Sequence, residues 1–392
     1  MAGVSTVGGV KKPARVVVLL AGGLALMAGL DGALLLLGLP APVTTDRLPV
    51  VHGPLLVLGF VGTLVALERA VALRRWWGGV APAGLGAGAA LTLTSLPLAV
   101  GAGVLVLGTL GQLALYAALW RRQESEALAL QALGAVLATG GALLWWAGVP
   151  VAVALPWLVG FLVLTIAGER LELARVGGLR PSTERAVLLL GILLMAGAVG
   201  ATLWPGPGHV LLGAALLALV GLLTVHDVAR RTVRSTGLPR YMGWCLLAGY
   251  GWLVVAGAVW VLLGAVPEGP GYDAVVHAVF LGFTLSMIMA HAPVILPAVL
   301  GRPLPYRPVF FVPVVLLHAS LLLRVAGGDL YGAAWALQAG GALNVLAVLS
   351  FVALAVWSSV VGLPATSRPA VGAPAVGAQA AERRPALQEA GA

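Results

Sequence analysis

The sequence predicts an all-α polytopic membrane protein of about twelve transmembrane helices in three pseudo-symmetric four-helix units. Three observations carry that expectation. The first is composition: of 392 residues, 60% are hydrophobic and only 9% are charged, a balance foreign to soluble globular chains. The second is that apolar runs of about 20 residues, long enough to cross a hydrocarbon core, recur from end to end. The third is an internal repeat. Gly59-Phe60, Gly160-Phe161 and Gly282-Phe283 are each followed, nine positions after the glycine, by an ionisable residue: Glu68, Glu169 and His291. Copies so far apart imply a repeating unit of several helices.

In chain order, a segment over 1–15 precedes the first apolar run. The spans then read as roughly 16–39, 50–73, 78–97, 100–120, 126–148, 151–174, 184–204, 208–229, 241–265, 272–298, 307–325 and 333–362. The first apolar run is longer than the core of a cleavable signal, so it counts as a helix. Between the third and fourth spans the turn signal is only Ser95-Leu96-Pro97. The repeat glycines fall in spans 2, 6 and 10, the second helix of each unit, and the units cover about 16–120, 126–229 and 241–362. The hydrophilic connectors Arg121 to Glu126 and Arg230 to Arg240 separate them. The tail over 363–392 is Ala, Pro and Gly with a few charges, a composition that cannot build a core.

The net charge of +9 reflects sidedness. With both termini inside, every Lys and Arg except Arg47 and Arg324 falls on inner loops, tails or helix ends, as expected of a bacterial inner-membrane protein with cytoplasmic termini. The charge is spread over many segments and forms no patch, so nucleic acid is not an expected partner; the bilayer is. The lone cysteine, Cys245, excludes an intramolecular disulfide and a cysteine-cluster metal site.

Ionisable groups inside a bilayer are costly and face a cavity, a partner or a cofactor. His52 and His277 enter spans 2 and 10 from the outside at similar depth. Imidazoles so placed can hold a haem edge-on, or can be buried structural histidines. Arg47 and Arg324 can pair with haem propionates as planar forks, or be ordinary loop arginines. His318 in span 11 can ligate, support a ligand, or bond a neighbouring helix. Nearly four turns below His277 lies His291. If the units pack alike, Glu68, Glu169 and His291 form a ring near the inner surface. Such a ring can bind copper or another divalent metal or move protons. It can equally be a set of charges neutralised by Arg69 and Arg170. Met287, four residues before His291, can offer a thioether or simply pack. His209 reads as a solvated loop residue, and His226 with Asp227 as an interfacial pair.

Two stretches, His52-Gly53-Pro54-Leu55 through Glu68-Arg69-Ala70 and His277 through His291-Ala292-Pro293 to Leu300-Gly301-Arg302, resemble NnrS-type membrane proteins. More distantly the layout resembles subunit I of the haem–copper oxidases. The resemblance implies three helix quartets and haem b between spans 2 and 10, with outer arginines at its propionates. It also implies chemistry in electron transfer or nitric-oxide stress, with quinol or a periplasmic carrier as donor. The departures are clear: span 6 carries Glu169, span 7 has no histidine, and position 279 is Val279. Those positions would supply the oxidases' copper and second haem, so a terminal oxidase is not expected. Two other functions fit the residues: a proton or metal-ion transporter built on the Glu68/Glu169/His291 ring, and a membrane partner or assembly factor of a haem–copper enzyme.

Overall fold

A computed structural model describes residues 9–362. The expectations for most of the 1–15 segment and for the 363–392 tail lie outside the described residues.

The described chain is all-helical. Its long helices, in order, are α1 Lys12–Leu36, α2 Arg47–Leu73, α3 Val80–Thr92, α4 Leu98–Trp120, α5 Glu126–Trp146, α6 Val151–Val176, α7 Pro181–Leu203 and α8 Pro205–His226, followed by α9 Gly237–Leu263, α10 Gly269–Leu300, α11 Pro308–Leu330 and α12 Ala334–Val361, with one further helical turn at Ala229–Thr232. Eleven of them are long and apolar enough to cross a membrane, and the protein is a multi-pass membrane protein. The third expected span is the exception. It is a 13-residue α3 entered through a single 3₁₀ turn, Trp76–Gly79. Helix stops at Thr92 and resumes after Pro97; Leu96, the residue before the proline, is disfavoured in the helical region, so the two helices cannot run on as one. The eleventh span is longer than expected. It runs on to Leu330, so that Arg324, expected at the very end of the span, lies well within the helix.

Leucines and valines such as Leu20, Leu107, Leu189 and Leu262 stand exposed on the outer faces, where lipid tails solvate them at no cost. Between helices, association depends on close packing, and small residues allow it. Gly88 of α3 faces the backbone of Leu105, and Gly101 of α4 faces that of Thr92, so that a methyl group at either position would lie 2.7 Å from a neighbouring amide nitrogen. Gly197 and Gly208 do the same for the α7–α8 hairpin, which turns over Trp204 alone.

The helices that carry the repeat are the central ones. In α2, α6 and α10, 67%, 78% and 61% of the most apolar stretch is buried in protein, against 33–56% in the other eight spanning helices. Two of the three also share a local distortion. α2 widens into a π-helical stretch over Leu55–Gly62, and α10 does so over Ala278–Leu285. Gly59 and Gly282 take the same position within these two stretches. Pro54 explains the first, since it has no N–H to continue the α-helical ladder. In the second, the Thr284 hydroxyl donates to the Val279 carbonyl five residues back, at 3.0 Å. α6 passes through Gly160 as uninterrupted α-helix.

Candidate functional site

Polar side chains gather at two levels of the central helices, named outer and inner after the sidedness expected from the charge distribution. The outer level begins with the histidines. His52 Nδ1 donates to the Gly29 carbonyl of α1 at 2.7 Å. His277 Nδ1 donates to the carbonyl of Asp273, one turn earlier, at 2.8 Å. A carbonyl can only accept, so each bond fixes the proton on Nδ1 and leaves the Nε2 lone pair outward. Among the described residues, neither Nε2 makes a hydrogen bond. His52 lies within electrostatic reach of His277, Arg324 and Asp273, so these four form one cluster. Arg324 does not stand free at the surface as expected of an outer loop. It is buried, and its fork closes on both oxygens of Asp273 at 2.8 and 2.7 Å. Arg47 joins a different place: it donates to the Thr94 carbonyl in the turn between α3 and α4. His318 is fully engaged. Its Nδ1 accepts from Trp252 Nε1 at 3.0 Å, and its Nε2 donates to Ser286 Oγ at 3.2 Å. Ser286 in turn donates to the Cys245 carbonyl. One tautomer satisfies the chain, and no lone pair of His318 remains for a ligand.

The inner level brings Glu68, Glu169 and His291 into one neighbourhood, with arginines between them. Arg69 Nη2 donates to Glu68 at 2.9 Å and to Glu169 of α6 at 3.3 Å. Arg170 Nη1 donates to His291 Nε2 of α10 at 3.4 Å, while His291 Nδ1 donates to the Met287 carbonyl at 2.7 Å. The arginine that follows the ionisable group in one copy of the repeat therefore reaches the ionisable group of the next copy, twice. In the third copy that place is Ala292. Glu68 and His291 are within electrostatic reach of each other, but no arginine links them.

Arg170 has a stronger partner. Its Nε and Nη2 fork onto Asp227 at 2.9 and 2.7 Å, and Tyr250 of α9 donates to the same carboxylate at 2.6 Å. Tyr250 in turn stacks on Phe283, the aromatic member of the third repeat copy. Asp227 lies just beyond α8 and also accepts from the Ala229 amide. Burial alone would raise the Asp227 carboxyl. The Arg170 fork, the Tyr250 hydroxyl and that amide outweigh burial and hold it below the ordinary aspartate range. The pairing expected of His226 does not form: Asp227 turns inward to Arg170, and His226 is exposed. His209 belongs to the first turns of α8, not to a loop, and meets Trp260 edge-on.

As they stand, the inner residues do not fit a metal ion. Among the described residues no three His, Cys, Asp or Glu side chains are placed to hold one. Arg69 lies between the two carboxylates, and Arg170 takes the His291 lone pair that a cation would need. The outer pair differs, since both Nε2 lone pairs are uncommitted.

The sequence reading missed several contributors. Asp227 and Asp273 anchor the two buried arginines. The signal for Asp273 was its place one turn before His277. Asp227 was read only as a partner of the adjacent His226, because its actual partner, Arg170, is 57 residues away. Gln112, Tyr116 and Gln131, buried beside the inner level, were marked only by being polar within apolar runs.

Among curated proteins, none matches this chain. A family model described as Domain of unknown function (DUF8744) matches residues 15–360, a span that takes in both polar levels and all twelve long helices except the first three residues of α1 and the last of α12. The chain belongs to that family.

Proposed function

We propose that the protein is a haem-binding protein of the bacterial inner membrane, acting in electron transfer or nitric-oxide-related chemistry, with His52 and His277 as the axial pair. The supporting observation is the state of these two imidazoles: each is locked by a backbone carbonyl into the form whose Nε2 can ligate, as metal-ligating histidines are, and the two share one cluster. Haem b would supply a one-electron couple at this level. The chain's own residues orient the rings, through the Gly29 and Asp273 carbonyls, and exclude water with the surrounding helices. Propionate binding by Arg324 has less support, since Asp273 already fills its fork. The NnrS-type resemblance favours the same reading by analogy. An arrangement of three related quartets, with cytoplasmic termini, fits the central burial of α2, α6 and α10 and the Arg69–Glu169 and Arg170–His291 contacts.

The test is an absorption spectrum and iron content of protein purified from haem-replete cells. A bis-histidine spectrum is expected, lost in His52→Ala and in His277→Ala. A colourless, iron-free preparation overturns the reading.

The arginine contacts between α2, α6 and α10 favour a second reading, a proton relay through Glu68, Glu169 and His291. Carboxyl and imidazole groups at one level, tied by arginines, can pass protons without a cofactor. Reconstituted vesicles would show proton flux that falls in Glu68→Gln and Glu169→Gln. Flux unchanged by both substitutions removes it.

A further inference from the structure

Beside the inner level lies a set of buried polar atoms that nothing in the two readings uses. Gln112 and Tyr116 on α4 and Gln131 on α5 are sealed from the surface, at 0%, 1% and 0% exposure. Both amide heads and the Tyr116 hydroxyl have no hydrogen-bond partner among the described residues, and neither does the Nε of Arg69. These side chains border the Arg69 and Glu169 neighbourhood from α4 and α5. Tyr116 is within electrostatic reach of Arg69, Glu169 and Glu68 and faces the Gln112 amide. Gln131 packs against Gly168, the residue before Glu169, so closely that a methyl group there would meet its Cγ at 2.6 Å. Tyr116 and Gln131 sit toward the helix ends that carry Arg121, Arg122 and Arg180, and Gln112 lies one turn deeper. Tyr116 lies four residues from the end of α4 and Gln131 five from the start of α5, a depth of roughly 6–8 Å at about 1.5 Å per residue.

In hydrocarbon an unpaired amide is costly, and proteins do not leave several of them side by side without a partner. An apolar ligand would leave all six atoms unpaired. A metal ion is disfavoured by Arg69. Water can both donate and accept, as two carboxamides and a phenol require. A buried water makes about three hydrogen bonds, so six unpaired atoms call for about two molecules.

We propose that Gln112, Tyr116, Gln131 and Arg69 form a binding site for ordered water within the membrane-spanning bundle, set against the Glu169 carboxylate. The site deepens the proton-relay reading. A hydronium proton entering there passes to a Glu169 oxygen and leaves neutral water behind, and the reverse step releases it. The hydration itself does not rest on that reading, so a negative flux assay leaves it standing.

The test uses the full-length protein in lipid nanodiscs, pulsed with X-rays in ¹⁸O water, with labelled tyrosines located by mass spectrometry. Radiolysis of a bound water marks a buried side chain that bulk radicals cannot reach. Tyr241 is the dry control, being fully buried with its hydroxyl on the Met289 carbonyl. Tyr116 is expected to label several-fold faster than Tyr241, and Gln112→Leu combined with Gln131→Leu should bring it down to the Tyr241 rate. Equal rates for Tyr116 and Tyr241 in the unaltered protein overturn the proposal. So does fast Tyr116 labelling that persists in the double variant, since the water would then be held by other groups. The first comparison needs no variant, so a substitution that prevents insertion leaves it intact.

Discussion

Arg69 on α2 donates to Glu169 on α6 at 3.3 Å, and the two are 100 residues apart in sequence. Each follows a Gly-Phe pair at a fixed offset, and Arg170 repeats the same reach toward His291 at 3.4 Å. Arg69 also holds Glu68, so one guanidinium serves two carboxylates in surroundings that water enters only partly.

Removing that guanidinium leaves two acidic groups close together in a poorly solvated place. Arg69→Leu is expected to destabilise the protein by about 3–5 kcal/mol, the cost of breaking a buried pair by deleting one partner. The thermal midpoint in detergent checks it. Arg69→Leu combined with Glu169→Leu should lose less than the sum of the single changes.

The Arg170–Asp227 pair is better buried, with side chains 5% and 1% exposed. Tyr250→Phe keeps the ring on Phe283 and removes the hydroxyl bond to Asp227. It should cost about 1.5–3 kcal/mol, as a hydrogen bond to a charged group does. Tyr250→Leu should cost more, since the stack is lost as well. Thermal melts of both variants beside Asp227→Asn would rank the three contributions.

Acid should weaken the same anchor. The Asp227 carboxyl is held below its ordinary value, so its contribution is complete above the unfolded aspartate pKa of about 3.9. It is lost as pH falls from there through the lower folded value. Stability attributable to Asp227 should therefore be level near neutrality and decline only below about pH 4. Asp227→Asn should flatten that part of the profile. A decline that begins at pH 6 and is abolished by the substitution would contradict the assignment.

His318 offers a contrast with the proposed axial pair. Both of its nitrogens are bonded, to Trp252 and Ser286, so His318→Ala should leave any haem spectrum in place while lowering the thermal midpoint. Loss of the spectrum in His318→Ala at unchanged stability would move the ligand from His52 or His277 to α11.

A tight hairpin makes a simpler prediction. Gly208 of α8 lies against the backbone of Gly200 and Ala201 in α7, with no room for a side chain. Gly208→Leu should part the two helices and reduce the yield of folded protein. Gly221→Leu, where a side chain meets open space, should be tolerated.

The helical layout was legible because it depends on local quantities: apolar run length, prolines and charged connectors. That Glu68, Glu169 and His291 should lie near one another was an expectation from the Gly-Phe spacing, and the Arg69 and Arg170 contacts run between the helices that carry them. What the sequence could not show was who pairs with whom. Asp273 claims Arg324 and Asp227 claims Arg170 through contacts spanning more than fifty residues, and no window along the chain contains both partners. The short α3 was missed for a different reason. Its residues are apolar enough to span, but Pro97 and the glycine-mediated fit against α4 end it early. The π-helical stretches left only Pro54 as a trace.

Ala292 has a topological consequence. With an arginine there, the three copies could close into a loop, and every member would be reachable by two routes. With alanine, the hydrogen bonds make an open path: Glu68, Arg69 and Glu169 at one terminus, Arg170 and His291 at the other. Glu169 and Arg170, neighbours on α6, are then the single junction between them. A fault at that junction isolates the two ends, whereas a fault at either end stays local.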